Sequence, residues 1–254
     1  MNVTERVQAS IRTVNATERE AIVAGPFTLY RNRASDHPYL NYAVPNAGAR
    51  RWEGIDELRA AFAAEGLQPR LEFVAECAPG LEEALAADGF SLQGRYPVMT
   101  LPAEQLREVP APDGVIIARV LVGGDVRALL ATAAEAFGDG PPTDAQVAAY
   151  GGRGHLARAN GEPAGAAFHS SLADGVSELG GIGVRARFRR RGIAAALTAA
   201  SATAAVASGA ELCFLTPGDD GAERVYARAG FARAGTTVVH MVAENPRRPR
   251  RPLR

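Results

Sequence analysis

The alternation of apolar and polar residues divides the chain into a series of strand and helix signals that is clearest after residue 114. A β-branched run, "GVIIARVL", predicts a strand, and helical apolar spacing over residues 124–137 predicts a helix. A good cap at the start of "TDAQVAAYG" predicts a second, short helix, and "HLARAN-GE-PAGAAFHSSL" predicts a hairpin. Further signals give the order β-α-α-β-β-β-α-β-α-β, which indicates an α/β domain.

Two segments stand outside this pattern. Residues 101–114, "LPAEQLREVPAPDG", carry three prolines between two apolar runs and are interpreted as a linker. Residues 245–254 combine proline and arginine without an apolar face, so a disordered basic tail is predicted there. The expected domains are therefore residues 1–105 and residues 112–244.

Composition excludes several classes of function. The 254 residues carry no formal net charge, so no global field attracts nucleic acid. No window reaches the roughly 18 consecutive apolar residues of a membrane span, and the N-terminus lacks the apolar region of a secretory signal. The two cysteines are expected to be free thiols, which fits the cytoplasm. Every basic residue is arginine, so a Schiff-base lysine is excluded.

The stretch "VRARFRRRGIAAALTAA", Val184 to Ala200, places five arginines before a helix of small apolar residues. The first amides of that helix lack internal partners, and the helix dipole adds positive charge. Small residues at Gly192 and Ala194 leave room for close approach. The pattern predicts a cradle for an anion such as a pyrophosphate, surrounded by the arginines. The alternative is a solvated basic loop before an ordinary helix.

Two motifs carry a family resemblance. Arg189-Arg190-Arg191-Gly192-Ile193-Ala194 fits the pattern Arg/Gln-x-x-Gly-x-Gly/Ala between a strand and a helix. About 30 residues later, "DDGAERVYARAGF" matches Asn-x-x-Ala-x-x-x-Tyr-x-x-x-Gly-Phe, with Asp219 in place of asparagine. Together they resemble the GNAT superfamily of N-acetyltransferases. This resemblance implies a mixed, mostly antiparallel sheet flanked by helices.

The resemblance also implies acetyl-CoA as acyl donor, held between the strands 176–184 and 211–216. Main-chain groups of the first strand would pair with the pantetheine arm, and amides of the loop and helix would hold the pyrophosphate. The cofactor-binding residues implied are Ile182, Gly183, Val184, Arg189, Arg190, Arg191, Gly192, Ile193, Ala194, Ala195 and Asp219. An acidic Asp219 puts its own contact in doubt, because it would repel the phosphates of CoA.

For catalysis, the resemblance places Tyr226 as the general acid that protonates the leaving thiolate, with a packing role as the alternative. An amide near Ile182 or Gly183 would stabilise the oxyanion. Glu178 is the candidate base, sharing a face with Gly180 and Ile182 if the strand alternates regularly.

His169 and His240 are alternative bases, expected on strands that neighbour the strand of Glu178. His155 is a weaker one, and a structural role is open for each. No metal-ligand spacing occurs. The acceptor would be a small-molecule or peptide amine. Residues 136–150, with Asp139 and Asp144, are expected to contribute to its binding.

The N-terminal half echoes the C-terminal half. "LEFV" and "LCFL", the two Gly-Phe pairs, and "YPVMTL" and "TVVHMV" all stand 141 residues apart. Leu85 takes the place of Tyr226, and "PNAGARRWEG" lacks the Gly-x-Gly/Ala signature. The chain is therefore interpreted as a tandem GNAT protein with a degenerate first copy. The sequence leaves open a homodimer.

Parts of the sequence point to two other classes of function. A non-catalytic acyl-CoA-binding or regulatory module stays open, because Asp219 departs from the motif and the base is uncertain. A dinucleotide-binding domain, suggested by "GGIG" at Gly180, is rejected because three consecutive strands precede the helix.

Overall fold

The computed structural model describes residues 1–243, and within them it has seven α-helices and eleven β-strands. The helices are α1 (Val3–Glu18), α2 (Ile55–Ala64), α3 (Leu81–Ala87), α4 (Val126–Phe137), α5 (Asp144–Ala148), α6 (Ile193–Ala207) and α7 (Asp220–Arg228). The first strands are β1 (Glu20–Ala24), β2 (Phe27–Arg31), β3 (Tyr42–Pro45), β4 (Arg70–Val74) and β5 (Phe90–Pro102). The others are β6 (Val115–Val120), β7 (Gly154–Ala159), β8 (Glu162–His169), β9 (Val176–Val184), β10 (Leu212–Leu215) and β11 (Ala232–Ala243). The predicted tail, residues 245–254, lies outside the described residues.

The chain forms two compact units. The last strand of each half of the chain, β5 or β11, ends in the unit that is formed mainly by the other half. Among the described residues, the first unit comprises Met1–Tyr96 and residues 236–243, and the second comprises Pro97–Gly235. These bounds differ from the expected 1–105 and 112–244. The reason is strand pairing: the end of β5 pairs with β10, whereas the end of β11 pairs with β4.

The second unit has the strand order β5-β10-β9-β8-β7-β6, and β9 and β10 are its one parallel pair among the described strands. Helices cover both faces of this sheet. On one face Leu129 of α4 packs on Leu156 of β7, and on the other Leu197 of α6 packs on Ala157. The predicted order of elements after residue 114 agrees with the structure.

In α6, buried residues lie all around the helix, and most of them are alanine. A helix that is apolar on every side is typical of a core position. Small side chains let it approach the sheet closely, because a Cβ on Gly165 of β8 would lie 2.9 Å from a methyl carbon of Leu197.

The first unit has the order β1-β2-β3-β4-β11, with β3 and β4 parallel and the other pairs antiparallel. Its core includes Phe27, Phe62, Phe73 and the fully buried Leu85 of α3. Both units thus centre on one parallel pair with antiparallel strands on either side. The fold class is as predicted: a mixed, mostly antiparallel sheet flanked by helices.

Among residues 1–243, no helix is both long enough and apolar enough to span a bilayer.

Candidate active site

The two central strands of the second unit separate partway along their length. The parallel pairing of β9 with β10 runs from Val176 opposite Leu212 to Glu178 opposite Phe214. Beyond Glu178, β9 continues for six residues without a β10 partner in this ladder. A parallel pair that ends while one strand continues leaves unpaired main-chain groups along the longer strand.

A β-bulge lies at the same point of β9. On the β8 side, Gly180 is opposite Phe168, but Gly183 is opposite Ala166, so β9 has one residue more than β8. Gly181 has φ +58°, a left-handed conformation that glycine adopts without a steric penalty. The bulge bends β9 where its pairing to β10 ends.

The gap is open to solvent. Gly180 and Gly181 are exposed although β9 is an interior strand of its sheet. A Cβ placed on Gly180 would meet no atom within 4 Å. The main-chain edge of β9 is therefore accessible to a ligand.

Main-chain direction decides which groups face this gap. The Arg185 amide donates to the Ala164 carbonyl of β8 at 2.9 Å. Because successive residues of a strand turn alternately to its two neighbours, Gly183 faces β8, while Ile182 and Val184 face the gap. The Val184 carbonyl already accepts a hydrogen bond from Nε of Arg189 at 3.0 Å.

The bulge also corrects one expectation. Ile182 packs in the same apolar cluster as Leu179, which is next to Glu178 along the strand. Neighbouring residues of a strand point to opposite faces, so Glu178 and Ile182 lie on opposite faces. The expected shared face was wrong because regular alternation ends at Gly181. Glu178 is half-buried.

The N-terminus of α6 follows β9 after a short loop. Gly192 is the N-cap with φ +83°, and no side chain caps the helix. The first intrahelical bond is from the Ala196 amide to the Gly192 carbonyl at 3.2 Å. The amides of Ile193, Ala194 and Ala195 thus have no partner within the helix, and together with the helix dipole they are suited to an anion. The positive φ explains the glycine at 192 better than a lack of space does. A Cβ added to Gly192 would lie 3.5 Å from Pro112, which is an ordinary contact.

Three of the five arginines are engaged in holding the loop. Arg185 pairs with Glu135 of α4 at 2.9 Å, and Arg187 pairs with Glu162. Arg189 donates to the carbonyls of Val184 and Ala136. The expectation that all five guanidinium groups surround a guest is therefore too broad.

The other two arginines differ from these. Arg191 lies over the Phe188 ring and donates to the Arg187 carbonyl at 3.4 Å. Arg190 is exposed, and no described residue forms a hydrogen bond or ion pair with its side chain. It holds φ +65°, which costs a non-glycine residue about 1 kcal/mol. Arg190 is thus the guanidinium of this loop that is available to an anion.

Tyr226 approaches from α7. It is half-buried and packs against the cluster that contains Leu179 and Leu215, with Ile182 at its edge. Burial, and to a smaller extent the charge of Asp219, raise the pKa of Tyr226 to about 12. Its phenol therefore stays protonated at neutral pH. Because Tyr226 shares a cluster with Leu179, it lies on the face opposite Glu178.

Asp219, the departure from the motif, has a structural role. It is the N-cap of α7, and its carboxylate accepts a hydrogen bond from the Ala222 amide at 2.7 Å. Aspartate and asparagine are about equally good N-caps, so this substitution preserves the helix start.

The histidines considered as bases are buried. His155 and His169 are each 6% exposed, with ring centroids 6.0 Å apart, and Ser201 of α6 lies 3.2 Å from Nδ1 of His155. Nδ1 of His169 has no hydrogen-bond partner. Burial, as the main cause, lowers the pKa of each to about 4.

His240 does not lie beside β9 as expected. It belongs to the first unit, where Nη2 of Arg70 lies 2.8 Å from its Nδ1 and Glu72 lies 3.6 Å from its Nε2. The expectation was wrong because the second half of β11 pairs with β4.

The end of α4 borders the gap. A Cβ on Gly183 would lie 2.8 Å from Ala136 and 3.0 Å from the Phe137 ring, which is 57% exposed. Both residues begin the segment 136–150, which the sequence predicts to contribute to acceptor binding, but no sequence signal other than the cluster "GGIG" indicated their contact with Gly183. In the loop that follows, Asp144 pairs with Arg127, and the Tyr150 hydroxyl donates to the Val120 carbonyl at 2.5 Å. Asp139 also has an interaction with the rest of the chain.

Within residues 1–243, no three His, Cys, Asp or Glu side chains are grouped in a way that could hold a metal ion. Both cysteines are free thiols: Cys213 is buried and Cys77 is half-buried.

Comparison with known proteins agrees with this geometry. The model of the acetyltransferase (GNAT) family matches residues 126–231, from the start of α4 to the end of the Tyr226 motif. No curated protein sequence matches the chain.

Several solved structures share the fold. A GCN5-related N-acetyltransferase from Kribbella flavida is 29% identical with a TM-score of 0.82, and the match covers 96% of this chain and 97% of that one. A GCN5-related N-acetyltransferase from Sphaerobacter thermophilus is 20% identical, with a TM-score of 0.60 and coverages of 94% and 90%. A tandem GNAT protein from the clavulanic acid biosynthesis pathway is 17% identical, with a TM-score of 0.57 and coverages of 87% and 79%. The chain therefore contains an acetyltransferase domain of the GNAT family, a fold that supports acyl transfer.

Proposed function

We propose that this protein is an N-acetyltransferase that transfers an acetyl group from acetyl-CoA to an amine by direct attack in a ternary complex. The observation that carries the proposal is the gap between β9 and β10, which opens beside the unpaired amides of α6. One feature offers an extended main-chain edge and the other an anion site. A long ligand with amides in its arm and a pyrophosphate at its end matches both.

The residues present fit such a donor. Main-chain groups of Ile182 and Val184 face the gap and can pair with an extended arm as an added strand does. The pyrophosphate would lie on the amides of Ile193, Ala194 and Ala195, with the Arg190 guanidinium close by. Arg189, Arg191 and Gly192 shape the loop, and Gly183 lets α4 pack closely on β9.

Bound acetyl-CoA would supply an activated thioester. The Ile182 amide faces the gap and would donate to the oxygen on which negative charge develops. Glu178 would accept the proton of the incoming amine, directly or through water. Tyr226, kept protonated by its raised pKa, would donate its proton to the departing sulfur. Base and acid would then act from opposite faces of the sheet.

Asp219 no longer favours a non-catalytic module. The departure from asparagine raised that alternative, but the carboxylate is engaged as the cap of α7. We propose Asp219 as a positioning residue that starts the helix carrying Tyr226. A direct contact of Asp219 with the donor is not needed.

The arrangement of strands also supports a tandem interpretation. The parallel pair β3/β4 stands in its sheet where β9/β10 stands in the other. In the first unit, Leu85 is fully buried at the position that corresponds to Tyr226. We infer that the first unit is a degenerate copy without the acetyl-CoA site. Cytoplasmic location and the choice of amine stay predictions.

Isothermal titration of the full chain with acetyl-CoA, with NAD as the control, tests the donor site. We expect saturable micromolar binding of acetyl-CoA alone. A panel of small-molecule and peptide amines, assayed by thiol release, then tests turnover. Binding without turnover of any amine would support the regulatory module, and no binding would contradict the proposal.

A further inference from the structure

The first unit has a cavity of its own where its parallel strands end. β3 and β4 pair only at Ala43 and Leu71, and beyond them the chain leads to Pro45 on one side and Cys77 on the other. A cavity of about 570 Å³ lies there, closed on a third side by the first turns of α1. This volume is within the range of small-molecule sites.

One wall of the cavity has a buried donor without an acceptor. Gln8 of α1 is 1% exposed, and its Oε1 accepts a hydrogen bond from the Val74 amide at 2.7 Å. That bond fixes the orientation of the side-chain amide. Its Nε2 has no hydrogen-bond partner. A buried donor without an acceptor is unfavourable, and a ligand oxygen that reached it would satisfy it.

A charged donor lies one turn further along α1. Arg12 lines the cavity and is half-buried, and no described residue forms a hydrogen bond or ion pair with its guanidinium group. Burial lowers the pKa of Arg12, as expected for a cation without a counter-ion. Arg50, also in the lining, donates only to the Ala49 carbonyl.

The acidic residues of the lining do not neutralise these donors. Glu5 accepts a hydrogen bond from the Asn2 amide as part of the cap of α1. Glu76 accepts one from the Thr236 hydroxyl. Both carboxylates are engaged away from Arg12, but their charge disfavours a dianion such as phosphate in the same cavity.

We propose that this cavity is a second ligand site, which binds a small molecule through a single carboxylate group held by Arg12 and the Gln8 amide. A planar carboxylate matches the planar guanidinium group and can accept from both donors at once. The rest of the lining includes apolar residues such as Met1 and Pro45, which would contact the body of the ligand. This site belongs to the first unit and is independent of the proposed transfer reaction.

Cys77 provides a direct test, because it lines the cavity. Iodoacetamide alkylation of the full chain can be followed by mass spectrometry, with the fully buried Cys213 as the internal reference. The probes are acetate, succinate, benzoate and indole-3-acetate, each paired with its amide, and inorganic phosphate. We expect at least one carboxylate to slow alkylation of Cys77 more than about five-fold at saturation, and its amide to have no effect. Protection by no carboxylate, or equal protection by the amides or by phosphate, would overturn the proposal.

Two variants locate the site. Gln8→Glu keeps an acceptor for Val74 but replaces the donor with a charged acceptor, and Arg12→Gln removes the guanidinium group. We expect both to abolish protection of Cys77, whereas Arg6→Gln, on the same helix but outside the lining, keeps it. Arg12→Gln still tests the site if Gln8→Glu fails to fold. Retained protection in folded Arg12→Gln would contradict the proposal. Acetyl-CoA titration of the same variants is expected to match the wild type, so failure of this site is distinguishable from failure of the donor site.

Discussion

The parallel pairs β9/β10 and β3/β4 take the same place in their sheets but lead to different surroundings. β9/β10 opens on glycines and on the uncapped N-terminus of α6. β3/β4 opens on a cavity lined by polar side chains of α1. The difference shows that a shared sheet determines where an opening occurs, whereas the loops and helices around it determine which ligand the opening can take.

Separating the halves of the chain tests the comparison most severely. A fragment of residues 112–243 lacks β5, so β10 loses its antiparallel partner and the core loses Met99 and Leu101. We expect this fragment to be unfolded or aggregated. Circular dichroism and gel filtration measure this, with the full chain as control. A fragment that folds and binds acetyl-CoA like the full chain would show that the second unit does not need β5.

Substitution of the glycine N-caps of α2 and α6 would sharpen the contrast between the helices that follow β3 and β9. Gly192→Glu places a negative charge and a strained φ at the proposed anion site. We expect the dissociation constant for acetyl-CoA to rise about 1,000-fold, or about 4 kcal/mol, in a titration.

The matched control is Gly54→Glu, at the N-cap of α2, where φ is also positive. It should destabilise its own helix but leave acetyl-CoA affinity unchanged. Equal weakening in both variants would show that the effect is not specific to α6.

Tyr226, at the position where the first unit has Leu85, is the next difference to test. For Tyr226→Phe we expect kcat to fall about 100-fold while acetyl-CoA binding is unchanged, because only proton donation is lost. Since burial raises the pKa of Tyr226 to about 12, wild-type activity should show no loss from this group up to about pH 10.

Tyr42→Phe is the control for this substitution. It removes a buried hydroxyl of the first unit that accepts a hydrogen bond from Nδ2 of Asn15 at 3.0 Å, so stability should fall while kcat changes little. Unchanged kcat in Tyr226→Phe would mean that Tyr226 only packs.

The smallest expected effect concerns the buried histidines of the second unit. His155 and His169 have a pKa near 4 when folded and about 6.5 when unfolded, so the unfolded chain binds more protons between these values. Their stabilisation is complete above pH 6.5 and is lost as the pH falls toward 4, by up to about 3 kcal/mol for each.

Replacing one of these histidines isolates its contribution to the pH dependence of stability. His169→Leu removes a ring nitrogen without a partner and should leave stability at pH 8 nearly unchanged. At pH 4.5 the free energy of unfolding of this variant, measured by urea titration, should exceed that of the wild type by about 2 kcal/mol. Equal acid sensitivity would show that other groups determine it.

Local patterns accounted for most of the second unit. The run of small residues, the cap at Thr143 and the strand Val176–Val184 all depend on neighbours in sequence, and the structure has them as predicted. The motif around Gly192 correctly indicated the start of α6, because glycine there meets a backbone requirement. The anion site itself stays a prediction.

Other features depend on contacts between distant residues. The exchange of β5 and β11 could not be predicted, because either strand has the same apolar pattern wherever it pairs. At the bulge around Gly181, β9 has one residue more than β8. Only the register of the two strands in the folded protein reveals this extra residue. The unpaired donors of Gln8 and Arg12 are likewise defined by what surrounds them in the folded chain.

The exchange of last strands has a consequence for synthesis. The first unit includes the end of β11, so its sheet stays incomplete until the chain has been synthesised beyond Ala243. Until then β4 presents an open edge, the kind of edge to which other chains can add. The second unit differs, because β5 has already been synthesised when β10 leaves the ribosome. The sheet of the first unit is thus begun before that of the second but completed after it, so a chaperone that binds open sheet edges should associate longest with the first unit.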